Sequence, residues 1–449
     1  MNRIMTPTRL LQTALEGKVA VSAGELRVVF EGANLSPSTL QRAVASSEGL
    51  ILRLGEARST RYALTRDVMG TGRQWPMWQT DELGRTQQVA SVHALQNDHW
   101  AVVSRGSHAP RYLHLGSEDG IFRGPPWYLE GLRPDGFLGR SFAHRWASAL
   151  GAPEDVRFWS SDHVLVSASR GLLDPPGNLF LKAANVAAPR VLAANRAAEY
   201  EQLAAATLAG EAIGSSAGGE QPKFSARVQH ETGSLIEVIV KFSPPRNSPA
   251  GERWADLLVG EHLASQLLRE HGIEASDTAL VESDSRLYLE VKRFDRVGER
   301  GRRGMCALMP FVPSLGGPAT SWTEAMRYLH EESLVDDAAV ERAAFLDDFG
   351  AGIGNNDRHL GNLSLMLDEG PFFDVAPVYD MLPMRYRPKT SGEVTVLEPV
   401  THAFAQDETR SLAGEFWRRV ADHPLITWEF RRLAEQNIPA NNLDLRSGI

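Results

Sequence analysis

Asp357 and Asn362 stand five positions apart in the run Gly354-Asn-Asn-Asp-Arg-His-Leu-Gly-Asn362. A carboxylate at the first position can accept a proton from an incoming hydroxyl, and an amide oxygen at the second can face a divalent cation. The same D-x-x-x-x-N interval serves both tasks in phosphoryl-transfer loops. His359 lies inside the interval, not two residues ahead of the Asp. Downstream, Phe372-Phe-Asp-Val-Ala-Pro-Val-Tyr-Asp-Met-Leu382 holds two carboxylates, Asp374 and Asp380. Either is a candidate metal ligand, and chemistry alone does not choose between them. Upstream, Ile236-Glu-Val-Ile-Val-Lys241 is an alternating apolar strand that ends on a lysine. Hairpin pairing with the preceding strand puts Lys241 beside Ser215-Ser-Ala-Gly-Gly-Glu-Gln-Pro-Lys223. Paired glycines let that loop approach a phosphate closely, and Lys223 adds charge at its end. The loop does not follow the GxxxxGK[ST] pattern. The Lys241 ammonium needs a carboxylate partner, and Glu261, in the helical segment from Arg253 to Glu270, is the candidate. Loop, lysine, base with amide, and metal carboxylate occur in the order that ATP- and Mg2+-dependent phosphoryl transfer requires.

Something must position these groups. A chain of 449 residues is expected to form roughly two to four domains. It is 43% hydrophobic and 23% charged, which excludes a disordered or fibrous chain. The single cysteine, Cys306, excludes an intramolecular disulfide, a cysteine zinc cluster and a CxxC redox pair. There is no long apolar run for a membrane span, and the N-terminus lacks the apolar core of a secretory signal. The expected location is therefore the cytoplasm, with no membrane partner. Net charge is −9, unevenly spread. Residues 1–66 carry nine Lys and Arg against five Asp and Glu, or +4, and the remainder carries −13. That is a small basic module on an acidic body.

The basic module reads as three helices and a hairpin. Apolar positions at Leu10, Leu11, Ala14 and Leu15 mark a first helix, ended by Gly17. Ser22-Ala-Gly-Glu25 is a capping box for a second, running to about Phe30. Ser36-Pro37 opens a third through Leu40 and Val44, with Ser38, Thr39, Gln41 and Arg42 on its outer side. Leu50–Leu54 and Arg58–Leu64 read as two short strands joined by a basic loop. This plan resembles a winged helix-turn-helix. The third helix would meet base edges, while Arg58 and Arg61 in the wing would neutralise phosphates. Residues 67 to about 195 read as mostly β. They contain the turn-rich run Pro125-Pro-Trp-Tyr-Leu-Glu-Gly-Leu-Arg-Pro-Asp-Gly-Phe-Leu-Gly-Arg140, whose role does not follow from its chemistry. Val191 to Gly210 reads as helix, and the last third as mainly helical.

The stretches SSAGGEQPKF, VIVKF, EVKRFDR, NNDRHLGNLS and APVYDML resemble the HipA-like serine/threonine kinases, toxins of bacterial persistence toxin–antitoxin systems. They span residues 215–383, and weaker similarity reaches back to about residue 125. The N-terminal module is similar to that of a single-chain, YjjJ-like subtype. The resemblance implies an α+β, bilobal, protein-kinase-like fold with a β-rich N-lobe and a helical C-lobe, preceded by a small winged-helix domain. The expected boundaries are 1–68, 69–295 and 296–449. By position, the resemblance places Gly218, Gly219, Gln221 and Lys223 over the ATP phosphates, and Lys241 on them with Glu261 as its partner. It places Lys292 to Phe294 at the adenine hinge, Asp357 as base, His359 as loop support, and Asn362 with Asp380 on Mg2+. It makes Ser216, or neighbouring Ser215, the autophosphorylation site. Gly361 departs from a frequent family lysine, and Lys292 from a hinge carboxylate. Implied partners are DNA through residues 1–66 and a protein substrate, which family analogy places in the translation machinery; a separate antitoxin is possible but not required. Two other classes use parts of the same set: a nucleotide-sensing transcription regulator without phosphoryl transfer, and a metal-dependent DNase toxin.

Overall fold

Small polar residues start the N-terminal helices. The Thr6 hydroxyl accepts from the Arg9 amide and Pro7 takes the first turn of α1 (Pro7–Leu15). A two-residue strand β1 (Val21–Ser22) leads into α2 (Ala23–Gly32), where Ser22 and Glu25 form the expected capping box. α3 (Pro37–Ala45) follows Ser36, whose hydroxyl bonds those of Ser38 and Thr39 instead of a backbone amide. β2 (Ile51–Leu54) and β3 (Arg61–Leu64) complete a sheet of order β1-β3-β2. Leu11, Leu15, Leu26, Phe30, Leu40 and Tyr62 fill the core beneath it. The second strand is shorter than its sequence pattern, because Ala57–Ser59 turns as a short 3-10 helix.

These statements come from a computed structural model that describes residues 6–106, 109–117, 119–172, 174–184, 187–209, 221–394 and 398–438. The span expected as one N-lobe holds two five-stranded sheets. The first comprises β4 (Gln74–Thr80), β5 (Thr86–Ala94), β6 (His99–Ser104), β7 (Ile121–Arg123) and β8 (Leu179–Phe180), in the order β7-β6-β5-β4-β8. The helices α4 (Trp127–Glu130), α5 (Gly136–Leu150) and α6 (Ser161–Ser169) lie between β7 and β8 in sequence. The second sheet comprises β9 (Arg190–Leu192), β10 (Lys223–Gln229), β11 (Leu235–Phe242), β12 (Thr278–Glu282) and β13 (Leu287–Lys292), in the order β12-β13-β11-β10-β9. The stretch 191–210 expected as helix divides between β9 and α7 (Arg196–Ala209). Val191 is buried beside β10, and that parallel pairing overrides the local alanine preference.

α8 (Pro249–Glu270) runs under this sheet with most of its surface buried. Its first turn presses on the preceding loop: a Cβ on Gly251 would lie 2.0 Å from the Pro245 carbonyl oxygen, so no other residue fits there. The chain then forms a small hairpin of β14 (Arg296–Val297) and β15 (Gly301–Arg302). β16 (Met305–Ala307), β17 (Ser364–Met366) and β18 (Asp374–Val375) make a three-stranded sheet. Around it pack α9 (Leu308–Ser314), α10 (Trp322–Glu331), α11 (Asp337–Gly352), α12 (Asp407–Asp422) and α13 (Trp428–Asn437). The result is α+β, with a β-rich lobe above a helical one. Among the described residues no helix is long and apolar enough to cross a membrane.

Candidate active site

Strand pairing builds the centre of the site. In the β10–β11 ladder Lys223 stands directly opposite Lys241. Two like charges at paired positions repel, so carboxylates must converge there. The fully buried Lys241 ammonium donates to Glu261 Oε1 at 2.5 Å and to Asp380 Oδ1 at 2.5 Å. Glu261 comes from the buried face of α8, and Asp380 from the segment after β18. Burial alone would push the Lys241 pKa down, but the two carboxylates more than offset it and hold the amine protonated. Burial likewise tends to raise Asp380, yet Lys241, then Lys223, bring it down to about 2. For Glu261 burial wins, and its pKa stays above the ordinary value despite Lys241. Asp380 is thus the anion that matches the lysine. Its backbone sits at φ 53°, a left-handed conformation costly for a non-glycine residue.

The loop after α11 is braced by a residue that the sequence reading passed over. Asn355 is buried; its Oδ1 accepts from the Asp357 amide at 3.0 Å, and its Nδ2 donates to the Asp380 carbonyl at 3.4 Å. One side chain therefore joins the Asp357 loop to the Asp380 segment. Asn362 Nδ2 donates to the Asp357 carbonyl at 2.9 Å, which leaves the amide oxygen as its open group. Tyr379 ties the same two segments again, donating to the Gly361 carbonyl at 2.9 Å. The His359 Nδ1 accepts from the Gly361 amide at 3.0 Å. A Cβ on Gly361 would lie 2.8 Å from the His359 ring, which accounts for glycine at that position.

A cavity of about 810 Å³ opens onto this centre. Lys223, Lys241, Lys292, Phe294, His359 and Asp380 line it. Gln221 is buried beside the ladder, and its Nε2 has no partner among the described residues. Asp357 and Asn362 are joined to Asp380 through Asn355 without lining the cavity. Asp374 is exposed on β18, away from Lys241, so of the two carboxylates the fold brings in Asp380. The Lys292 and Arg293 amides already donate to the carbonyls of Asp277 and Glu237, so neither N–H is free to read a base, while Lys292 and Phe294 line the cavity. Ser215, Ser216, Gly218 and Gly219 lie outside the described residues.

On the N-terminal module, Ser38, Gln41 and Arg42 are exposed along α3, Thr39 is half-buried, and Arg58 is exposed. Arg61 is otherwise engaged: its guanidinium pairs at 2.6 Å with Asp119, in the turn just before β7. The expected wing therefore keeps one of its two arginines open.

Residues 71–188 match the model of the YjjJ-like toxin middle domain, and residues 215–438 match the HipA-like C-terminal domain. Over 432 residues the chain is 36% identical to Toxin YjjJ of Escherichia coli strain K12, covering 92% of this chain and 93% of that protein. The chain belongs to the YjjJ-like toxins. Among solved structures, this YjjJ-like toxin is similar to the Shewanella oneidensis HipA of a complex with HipB and operator DNA. That likeness has a TM-score of 0.48 and 14% identity, over 82% of this chain and 92% of that one. It is also similar to the Helicobacter pylori proinflammatory kinase CtkA, with a TM-score of 0.32 and 12% identity over 46% and 85%.

Proposed function

We propose that this YjjJ-like toxin is an ATP- and Mg2+-dependent serine/threonine protein kinase with its own DNA-binding head. The observation that carries the reading is the buried Lys241, bonded at once to a helix carboxylate and to Asp380 at the mouth of a large cavity. Lys241 and Lys223 offer paired cationic charge to the phosphates of a nucleotide, with Gln221 buried beside them; the family resemblance assigns Gly218 and Gly219 to the same phosphates. Phe294 and Lys292 take the adenine side. The open Asn362 oxygen and the Asp380 carboxylate are hard oxygen donors of the kind Mg2+ accepts. When bound, that ion would screen the charge of the phosphoryl group. The Asp357 carboxylate takes the proton of the acceptor hydroxyl as its oxygen bonds to the γ-phosphorus and ADP leaves. His359 and Asn355 hold the loop that carries the base.

Family membership favours self-modification at Ser216 or Ser215. Transfer of radiolabel from γ-labelled ATP to the full chain tests the assignment. The wild type should become labelled, Asp357→Ala should not, and Ser216→Ala should lose most of the label. Equal labelling of wild type and Asp357→Ala would overturn it.

The head, residues 1–68, is proposed as a winged helix-turn-helix that reads DNA with Ser38, Thr39, Gln41 and Arg42 of α3, and Arg58 touching phosphate. Its support is the exposed polar face of α3 above a separate small core. Binding should weaken steeply with salt as counterions are released.

A further inference from the structure

Arg61 opens β3 in the middle of the head's sheet, paired across to Ser22 of β1 on one side and to Leu54 of β2 on the other. Its backbone is fixed by both neighbours, so a ligand can be met only by movement of the guanidinium. Strand alternation puts Arg61 on the face of β3 that carries Ala63, and Ala63 packs against Leu95 and Ala101 of the first five-stranded sheet. The arginine thus leans toward the middle domain, where Asp119 meets it.

The turn that carries Asp119 is held just as firmly. Asp119 Oδ1 accepts from the Ile121 amide at 2.9 Å and from the Ser117 hydroxyl at 3.3 Å, which leaves Oδ2 for Arg61 at 2.6 Å. The Gly120 carbonyl accepts from the Val102 amide at 2.9 Å. Gly120 has φ 75°, and a Cβ there would lie 2.9 Å from the Val102 carbonyl oxygen, so the turn is pressed onto β6. Burial tends to raise the Asp119 pKa, but the Ile121 amide and Arg61 hold it below its ordinary value, and the carboxylate is charged at neutral pH. The two side chains are 34% and 36% exposed. An ion pair so open to water is weak, and a phosphate, which offers a guanidinium a bidentate bond, can displace it. Arg58, three residues ahead in the wing, is exposed and has no such partner among the described residues.

We propose that Asp119 competes with the DNA backbone for Arg61, so that the middle domain sets how tightly the head holds a duplex. In the free protein the carboxylate occupies the guanidinium in place of a phosphate. When the head lies on DNA, a backbone phosphate beside the wing takes Arg61 from it, and the cost of parting the pair is subtracted from the affinity. The inference rests on the DNA-binding reading of the head.

The test is fluorescence anisotropy of the full chain on a fluorescein-labelled, mixed-sequence duplex of about 30 base pairs, between about 50 and 200 mM salt. Asp119→Asn keeps the oxygen that accepts from Ile121 and replaces the one that holds Arg61. It should bind more tightly than the wild type, with log affinity falling more steeply against log salt by about 0.9, the worth of one further phosphate contact. Its advantage should therefore shrink about three- to fourfold across that range. Asp119→Asn/Arg61→Ala should lose both the gain and the added slope. Ser117→Ala loosens the same turn without freeing Arg61 and should keep the wild-type slope. Wild-type affinity and slope in Asp119→Asn overturns the competition. So does a gain that survives Arg61→Ala, which would come from the lost negative charge alone, and so does equal steepening in Ser117→Ala. Failure of both the wild type and Asp119→Asn to bind overturns the DNA-binding head and this inference together; binding by both with one slope overturns this inference alone.

Discussion

Replacing Lys241 with methionine leaves two carboxylates facing each other without the ammonium that both accept from, and only the more distant charge of Lys223 to offset them. Glu261 is 3% exposed in its side chain and Asp380 26%, so neither is freely solvated. Removing one partner of a buried ion pair costs about 3–5 kcal/mol, because the remaining charge stays buried and uncompensated. In a domain the size of residues 215–438, each kcal/mol moves the midpoint about 2–4 °C, so Lys241→Met should lower it by roughly 6–20 °C. The pH dependence has a definite sign. The Glu261 pKa is already above its ordinary value, and losing the lysine raises it further. A carboxyl group raised in the folded state is stabilising below its unfolded pKa and loses that contribution as pH rises through the folded one. The deficit of Lys241→Met should therefore be largest at pH 8 and shrink toward pH 5. Differential scanning calorimetry of the full chain resolves the transition, and the double variant Lys241→Met/Glu261→Gln should recover most of the loss. A deficit below about 1 kcal/mol at pH 8, or one unchanged down to pH 5, would refute the argument.

Asn355→Leu removes the brace between the Asp357 loop and Asp380, so labelling by γ-labelled ATP should fall at least about tenfold, with nucleotide affinity altered less. Asp174→Asn frees Arg293, Arg296 and Arg302. The Asp174 pKa, which burial would raise but the arginines hold at about 2, is depressed, so its contribution of about 2 kcal/mol is present above pH 4 and lost as pH falls toward 2. Urea midpoints across that range should show the wild-type advantage vanish. Asp256 runs the other way: burial lifts it to about 6 despite two hydrogen bonds from Thr427, so the wild type should lose about 3 kcal/mol between pH 4 and 7. Asp256→Asn should flatten that slope. Arg42→Ala should weaken DNA binding by the isolated contact it loses, whereas Arg61→Ala, already paired with Asp119, should change the salt slope little in a fluorescence-anisotropy titration.

Much of this was legible in the sequence because it rests on local rules. Apolar spacing ended by Gly17 located α1, serine and proline placement located α2 and α3, each within a residue or two, and strand alternation put Lys241 beside the loop that ends at Lys223, which the ladder sets opposite it. The helix partner Glu261 followed from the need of an ammonium for a carboxylate. Asn355 was missed because its neighbours carry the more reactive side chains and its role, joining the loop to a segment 25 residues on, exists only after folding. Residue chemistry left Asp374 and Asp380 equivalent, since both follow apolar residues; the family resemblance favoured Asp380, and in the fold it is Asp380 that reaches Lys241. The strand at Arg190–Leu192 was hidden by the alanines beyond it, since a parallel partner 37 residues away decides its conformation.

The hairpin of the N-terminal module is not a free arm. Leu54 and Ala63 share a small apolar cluster with Leu95 and Ala101 of the next sheet, and Thr65 bridges to Leu95. Arg66 adds a bidentate bond to Asp162. A helix seated in a DNA groove would therefore fix the azimuth of the whole molecule around the duplex axis. The opening of the cleft would point in one set direction for every bound copy, and reversing the site on the duplex would turn that opening to the opposite side.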